Sequence, residues 1–128
     1  MEFQMRLGIV GSRDFHDYEK FLRIIACIDR KYNVLQDVVE IVSGGADGVD
    51  TLAERFAKDM GLKFKPYHAD WKKLGNKAGP IRNTKIVKRI HLIIALPKMT
   101  EGQYSRGTRD SINKATKSGK KCYIVVVK

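Results

Sequence analysis

Three short segments of this sequence carry the residue types that hold phosphates and sugars. The first is Gly11-Ser12-Arg13-Asp14. Glycine lets the backbone approach a ligand closely, and Ser12 and Arg13 offer donors to a phosphate or a ribose. The same residues also read as an ordinary strand–helix turn, with Asp14 or Asp17 as the helix cap. The second segment is Ser43-Gly44-Gly45-Ala46-Asp47-Gly48-Val49-Asp50. Three glycines at the opening of a helix suit a backbone cradle with free N–H groups. The segment has neither the Gly-Lys-Ser/Thr of a Walker A loop nor the Gly-x-Gly-x-x-Gly of a dinucleotide fingerprint. Asp47 and Asp50 complicate a phosphate there, because a carboxylate in the first helical turn repels a second anion. Either Asp47 caps the helix, or one of the two aspartates accepts bonds from ribose hydroxyls.

The third segment, Ser105-Arg106-Gly107-Thr108-Arg109, is the strongest phosphate candidate. Backbone donors, hydroxyls and two guanidinium groups meet at a helix N-terminus. Arg82 and Asn83 follow Gly79 in the first turns of the preceding helix. An arginine there can clamp a phosphate bidentately, and an asparagine can fix a base or a ribose. Trp71, the single tryptophan, either stacks on a base or covers the core edge. No Ser-His-Asp arrangement or carboxylate dyad is readable, so no catalytic residue is assigned, although His68 and Asp70 could work as a pair. Cys27, Cys122 and the three histidines lack metal-ligand spacing, so no metal is expected. Both cysteines read as buried free thiols.

These residues need elements to position them. Arg6 to Val10 reads as a strand. Residues 17–32 place Tyr18, Phe21, Leu22, Ile25, Ile28 and Tyr32 on one helical face. Val38 to Val42 is a second strand. Val49, Leu52, Ala53, Phe56, Ala57 and Met60 mark a second helix stopped by Gly61. A third strand is expected over 62–67, an irregular stretch over 68–80, and a helix over 79–89 with Pro80 in its first turn. His91 to Leu96 is an apolar strand, 98–106 a polar loop, 107–117 a helix, and 122–127 a last strand. Strands alternate with helices, and continuous apolar strands suit a sheet covered on both faces. The expected fold is therefore α/β: one Rossmann-like three-layer α/β/α domain over residues 1–128, with a mainly parallel five-stranded sheet in the order 3-2-1-4-5. Its ligand crevice lies beyond the carboxyl ends of strands 1 and 4, where the order reverses.

The 128 residues suit one globular domain, with 43% hydrophobic residues. Lys and Arg number 25 against 14 Asp and Glu, a formal charge of +11 that favours an anionic partner. The excess is confined to residues 65–128, which carry 16 basic and 3 acidic residues, against 9 and 11 in residues 1–64. Most of the second-half lysines read as a solvated surface, among them Lys85, Lys88, Lys117, Lys120 and Lys121, and Arg89 with them. No apolar run approaches the roughly 20 residues of a membrane span. The start, Met1-Glu2-Phe3-Gln4-Met5, is too polar for a signal peptide, so a cytoplasmic location and no membrane contact are expected.

Taken in order, Gly11-Ser12-Arg13, Gly44-Gly45-Ala46-Asp47-Gly48-Val49-Asp50, Trp71 with Lys77-Ala78-Gly79-Pro80-Ile81-Arg82-Asn83, and Gly107-Thr108 resemble the YspA-type branch of the SLOG superfamily. That superfamily also includes the LOG and DprA proteins. The resemblance implies a Rossmann-like domain binding a nucleotide or nucleotide-derived ligand such as an ADP-ribose-like molecule, with no further cofactor required. By position it implies a pocket of Gly11, Ser12, Arg13, Gly44, Gly45, Asp50, Arg82, Asn83, Gly107 and Thr108, and a homo-oligomer. LOG proteins cleave an N-glycosidic bond with a Pro-Gly-Gly-x-Gly-Thr-x-x-Glu motif; here only Gly107-Thr108 remains, and Ser111 stands at the Glu position. A sensor or sequestering module is therefore expected first, a nucleotide N-glycosidase second, and a single-stranded nucleic-acid binder third.

Overall fold

The strands at the centre of the sheet are the most apolar stretches of the chain, and burial follows that order. A computed structural model describes residues 3–127. Strand β1 (Met5–Gly11) and strand β4 (Leu92–Leu96) lie side by side, with Leu7, Ile9, Ile93 and Ile94 wholly shielded from solvent. Helix α1 (Tyr18–Tyr32), strand β2 (Val38–Ser43), helix α2 (Val49–Asp59) and strand β3 (Lys63–Pro66) complete the first half. A short helix α3 (Trp71–Leu74) and a 3-10 turn (Gly75–Lys77) lead into helix α4 (Ala78–Arg89). After β4 come two very short strands, β5 (Met99–Thr100) and β6 (Gln103–Tyr104), then helix α5 (Arg106–Lys117) and strand β7 (Lys121–Ile124).

The main sheet runs β3-β2-β1-β4-β7, parallel throughout. This is the expected order, with β7 as its fifth strand. Two cores sit on its two faces. Phe21, Ile25 and Ile28 of α1 and Leu52 and Phe56 of α2 pack on one. Ile86, Val87 and Ile90 of the α4 segment and Ile112 and Ala115 of α5 pack on the other. Right-handed crossovers place helices on opposite faces where the strand order reverses between β1 and β4, so the layering follows from the topology.

Local chemistry sets the element ends. Asp17 caps α1, its side chain accepting from the Lys20 amide at 3.0 Å. Asn33 closes the same helix with a left-handed backbone, φ 55°. The expected polar loop 98–106 holds an antiparallel hairpin instead, whose turn is Glu101-Gly102 at positive φ. The last strand is shorter than its apolar sequence suggests, ending at Ile124. The chain beyond still follows β4, with the Val125 amide on the Ala95 carbonyl and the Val127 amide on that of Pro97. Cys27 is exposed, contrary to expectation, because the buried stripe of α1 runs through Phe21, Ile25 and Ile28 and Cys27 falls off it. Cys122 is half-buried, and both thiols are free.

Arg89 is not part of a merely solvated face. Its guanidinium grips Glu40 of β2 with two bonds, 2.7 Å and 2.8 Å. The Arg89 hydrogen bonds hold the buried Glu40 carboxyl below the usual carboxylate range, against the opposing effect of burial. The folded state thus binds that proton more weakly than the unfolded chain does. The stabilisation is full above the ordinary glutamate pKa and is lost as pH falls through the lowered folded value. Arg89→Ala is expected to lower the melting temperature at neutral pH. Melting curves across acid pH should show that deficit shrinking as Glu40 becomes protonated; a deficit independent of pH would contradict the pairing.

Candidate functional site

Three chain segments meet at the carboxyl ends of β1 and β4. The Ser12 amide donates to the Leu96 carbonyl at 3.0 Å, and the Ser12 carbonyl accepts from the Val49 amide at 3.0 Å. The backbone of this one residue thus ties the β1–α1 turn to the end of β4 and the start of α2. Two glycines make the approach possible. A Cβ on Gly11 would sit 2.4 Å from the Leu96 carbonyl oxygen, and one on Gly48 2.2 Å from that of Ser12. Gly48 also has φ 73°, a backbone that favours glycine. Gly48 occupies the N-cap of α2 with no side-chain cap, so Asp47 does not cap the helix; it is exposed.

Above this junction opens a crevice of about 370 Å³. Of the residues singled out from sequence, Gly11, Ser12, Arg13, Gly44, Asp50, Arg82, Asn83, Ser105, Gly107 and Thr108 line it. They come from segments up to 97 positions apart, between Gly11 and Thr108. Six others lie elsewhere. Ser43 is fully buried, its hydroxyl donating to the Ile9 carbonyl at 2.7 Å. Gly45, at φ 67°, lies against His68 in a smaller hollow that shares Ala46 and Asp50 with the crevice. Asp47 and Arg106 are exposed outside the lining. Trp71 is half-exposed and rests its ring edge on Gly79 at the start of α4, rather than covering the core. His68 and Asp70 do not pair: the Asp70 side chain accepts from the Lys73 amide and caps α3.

Sequence reading missed Lys98, Thr100 and Ser111 in the lining. Lys98 stands 3.5 Å from Asp14 across the mouth, and Thr100 arrives on the unforeseen hairpin. Ser111 was visible only as the residue in place of a motif glutamate; it is buried one turn into α5 beyond Thr108.

The lining is cationic at its walls and carries one buried carboxylate. Arg82 donates from Nη1 to the Gly44 carbonyl at 2.8 Å and from Nε to Asn83 Oδ1 at 2.9 Å. Its Nη2 has no acceptor among the described residues. Asn83 in turn donates to Asp110 at 3.0 Å and to the Gly107 carbonyl at 3.3 Å. Lys114 reaches the same Asp110 at 2.8 Å and also bonds the Pro80 carbonyl. Asn83 therefore uses both ends of its amide to hold Arg82 and the opening of α5 in place. Burial, and then repulsion from Arg13, lower the Arg82 pKa, with Asp50 acting against them. An anion between the two guanidiniums removes that repulsion. At the head of α5 the Ser105 hydroxyl donates to Thr108 Oγ at 3.3 Å, and Ser105 provides no side-chain cap. The first N–H groups of that helix thus have no partner within it.

Asp50 is 6% exposed. Its Oδ2 accepts from the Ala46 amide at 3.2 Å, while Oδ1 is buried without any partner. Burial pushes the Asp50 pKa up, opposed by the Ala46 amide, Ser43 and Arg82. A buried oxygen that accepts nothing is costly unless a ligand supplies the donor. Among the described residues, no group of three His, Cys, Asp or Glu side chains could hold a metal ion.

Comparisons with known proteins agree with this geometry at the level of family and fold. The sequence profile of the YspA, cpYpsA-related SLOG family matches residues 5–74, the stretch from β1 through α3. The Gene 61 protein of Mycobacterium phage D29 is 38% identical over 120 residues, covering 89% of this chain and 90% of the phage protein. The X-ray structure of TM1055, a structural genomics target, is similar with a TM-score of 0.62 at 16% identity, over 92% of this chain and 72% of that one. That likeness is one of fold.

The raised Asp50 pKa carries a sign. The folded protein binds this proton more tightly than the unfolded chain, so the contribution of Asp50 to stability declines as pH rises from the ordinary aspartate range to the raised folded value. Asp50→Asn is expected to melt higher than the parent protein at neutral pH, with a smaller gain near pH ~4. Paired thermal melts across that range check it, and a gain that shrinks with rising pH would refute the burial argument.

Proposed function

This chain belongs to the YspA, cpYpsA-related SLOG family, and from that premise we propose that its crevice binds a nucleotide or nucleotide-derived ligand, as a sensor or sequestering module. The observation that carries this reading is the pairing of opposite chemistries in one crevice: Asp50 with an unpartnered buried oxygen, beside Arg13, Arg82 and the open head of α5. A phosphate suits the cationic side. It gains the free Arg82 Nη2, the Ser105 and Thr108 hydroxyls and the first amides of α5. A ribose hydroxyl suits Asp50, since it donates the hydrogen bond that Oδ1 lacks. A crevice of about 370 Å³ falls in the range of small-molecule sites.

Binding is favoured over N-glycosidic hydrolysis by where the carboxylates lie. Ser111 stands at the motif's glutamate position, and a hydroxyl cannot stabilise the cationic sugar of that reaction as a carboxylate does. Asp110, one residue away, is already bonded by Asn83 and Lys114. Asp50 remains the carboxylate for a second reading as a nucleotide N-glycosidase.

Thermal-shift measurements with AMP, ADP-ribose, NAD and cyclic nucleotides test the proposal. At least one should raise the melting temperature. Arg82→Ala should weaken that ligand by about 10- to 100-fold, the value of one charge-assisted hydrogen bond. Failure of all four with folded protein counts against nucleotide binding. Chromatographic release of free base, lost in Asp50→Ala, would move the conclusion to the hydrolase.

A further inference from the structure

The two helical layers differ sharply in charge. Helices α4 and α5 carry eight Lys and Arg and a single carboxylate, Asp110. That carboxylate is paired with Lys114. Helices α1 and α2 on the opposite face carry six Lys and Arg and five Asp and Glu. The basic excess of the sequence is therefore gathered on one side of the sheet. Lys77, Lys85 and Lys88 on the α4 side and Arg106, Arg109 and Lys117 on α5 all face solvent. The two helices pack against each other over the same core, each 12 residues or about 18 Å long.

We propose that the outer face of α4 and α5 is a docking surface for the phosphodiester backbone of single-stranded nucleic acid. Charge complementarity is the first support: the solvent-facing cations are spread along both helices with no free carboxylate among them, as a polyanion requires. The apolar content is the second. A lipid surface is held by an amphipathic helix that inserts large apolar side chains. Here the apolar residues of both helices, Ile86, Val87, Ile112 and Ala115, are committed to the core, and Ile81 is the one exposed large apolar side chain on these two helices. Trp71 is the third. It is half-exposed at the α4 entrance, between Asp70 and the lysines 72 and 73, and offers a ring on which an unpaired base can stack. This surface is separate from the crevice and stands whether or not the crevice binds a nucleotide.

Fluorescence anisotropy with a labelled 20-nucleotide single strand, followed across salt, tests it. Binding is expected to weaken by roughly twentyfold between 50 and 200 mM salt if three phosphates are neutralised. The triple variant Lys85→Glu, Lys88→Glu, Lys117→Glu should lose binding by more than tenfold. A control with the same charge change on the other face, Arg23→Glu, Lys31→Glu, Lys58→Glu, should bind within threefold of the parent. If the first variant does not fold, its Lys→Gln counterpart is read instead and should still lose severalfold. Trp71→Ala should weaken the single strand and leave a duplex unchanged. The proposal is overturned if the parent protein fails to bind, if both triple variants lose equally, or if polyglutamate binds as well as the oligonucleotide. It is also overturned if vesicles containing phosphatidylserine bind where the oligonucleotide does not. Nucleotide stabilisation measured on the α4–α5 variant reports on the crevice separately.

Discussion

The backbone of Ser12 is held at its N–H by the Leu96 carbonyl and at its C=O by the Val49 amide, and the crevice depends on that clamp. It fixes the β1–α1 turn against the end of β4 and sets where α2 begins. A longer contact at either end would move Arg13 away from Arg82 or move Asp50 with its helix. The clamp in turn depends on the missing side chains of Gly11 and Gly48, since a Cβ at either position would overlap backbone atoms. These glycines act through packing between chain segments, in addition to any role in approaching a ligand.

With the frame fixed, the electrostatics of the crevice are pre-set. Arg82 cannot swing toward solvent without giving up the Gly44 carbonyl and Asn83. Asn83 is in turn fixed by Asp110 and the Gly107 carbonyl. Among the described residues Arg82 Nη2 and Asp50 Oδ1 have no protein partner, and the two side chains flank Gly44 in the lining. Burial costs both groups: it lowers the Arg82 pKa, which Asp50 opposes and Arg13 reinforces, and it leaves Asp50 Oδ1 accepting no bond among the described residues. Such local cost is what a binding site carries when its donors and acceptors are arranged for a ligand.

The fold was legible in the sequence because its signals are periodic and local. Apolar strands alternate with helices whose buried residues recur at three and four, and the observed order is the natural doubly wound solution for such an alternation. The candidate site was legible in part, for a reason of placement: in a doubly wound sheet the turns after β1, β2 and β4 must converge at one end. Interactions that depend on depth or long reach were not legible. Ser43 is a residue type that binds ligands, but at the end of β2 it is buried and its hydroxyl donates to the Ile9 carbonyl of the neighbouring strand. Arg89 looked like one more surface cation, since Glu40 lies 49 positions earlier in the chain. Cys27 sits one residue off a stripe whose edge propensity does not define. The hairpin over 99–104 has strands of two residues each, too short for a period to show.

The charge asymmetry of the sequence acquires its meaning from the same topology. The chain winds outward through β1, β2 and β3 with α1 and α2 on one face, then returns to β4 and β7 with α4 and α5 on the other. Any compositional difference between its halves is thereby converted into a difference between the faces of the sheet. The seam between the halves, where β1 meets β4, is also where the crevice opens. The first half contributes Arg13, Gly44 and Asp50 to the lining, and the basic second half contributes Arg82 and the head of α5. The same winding gathers most of the excess cations on the α4 and α5 side of the sheet.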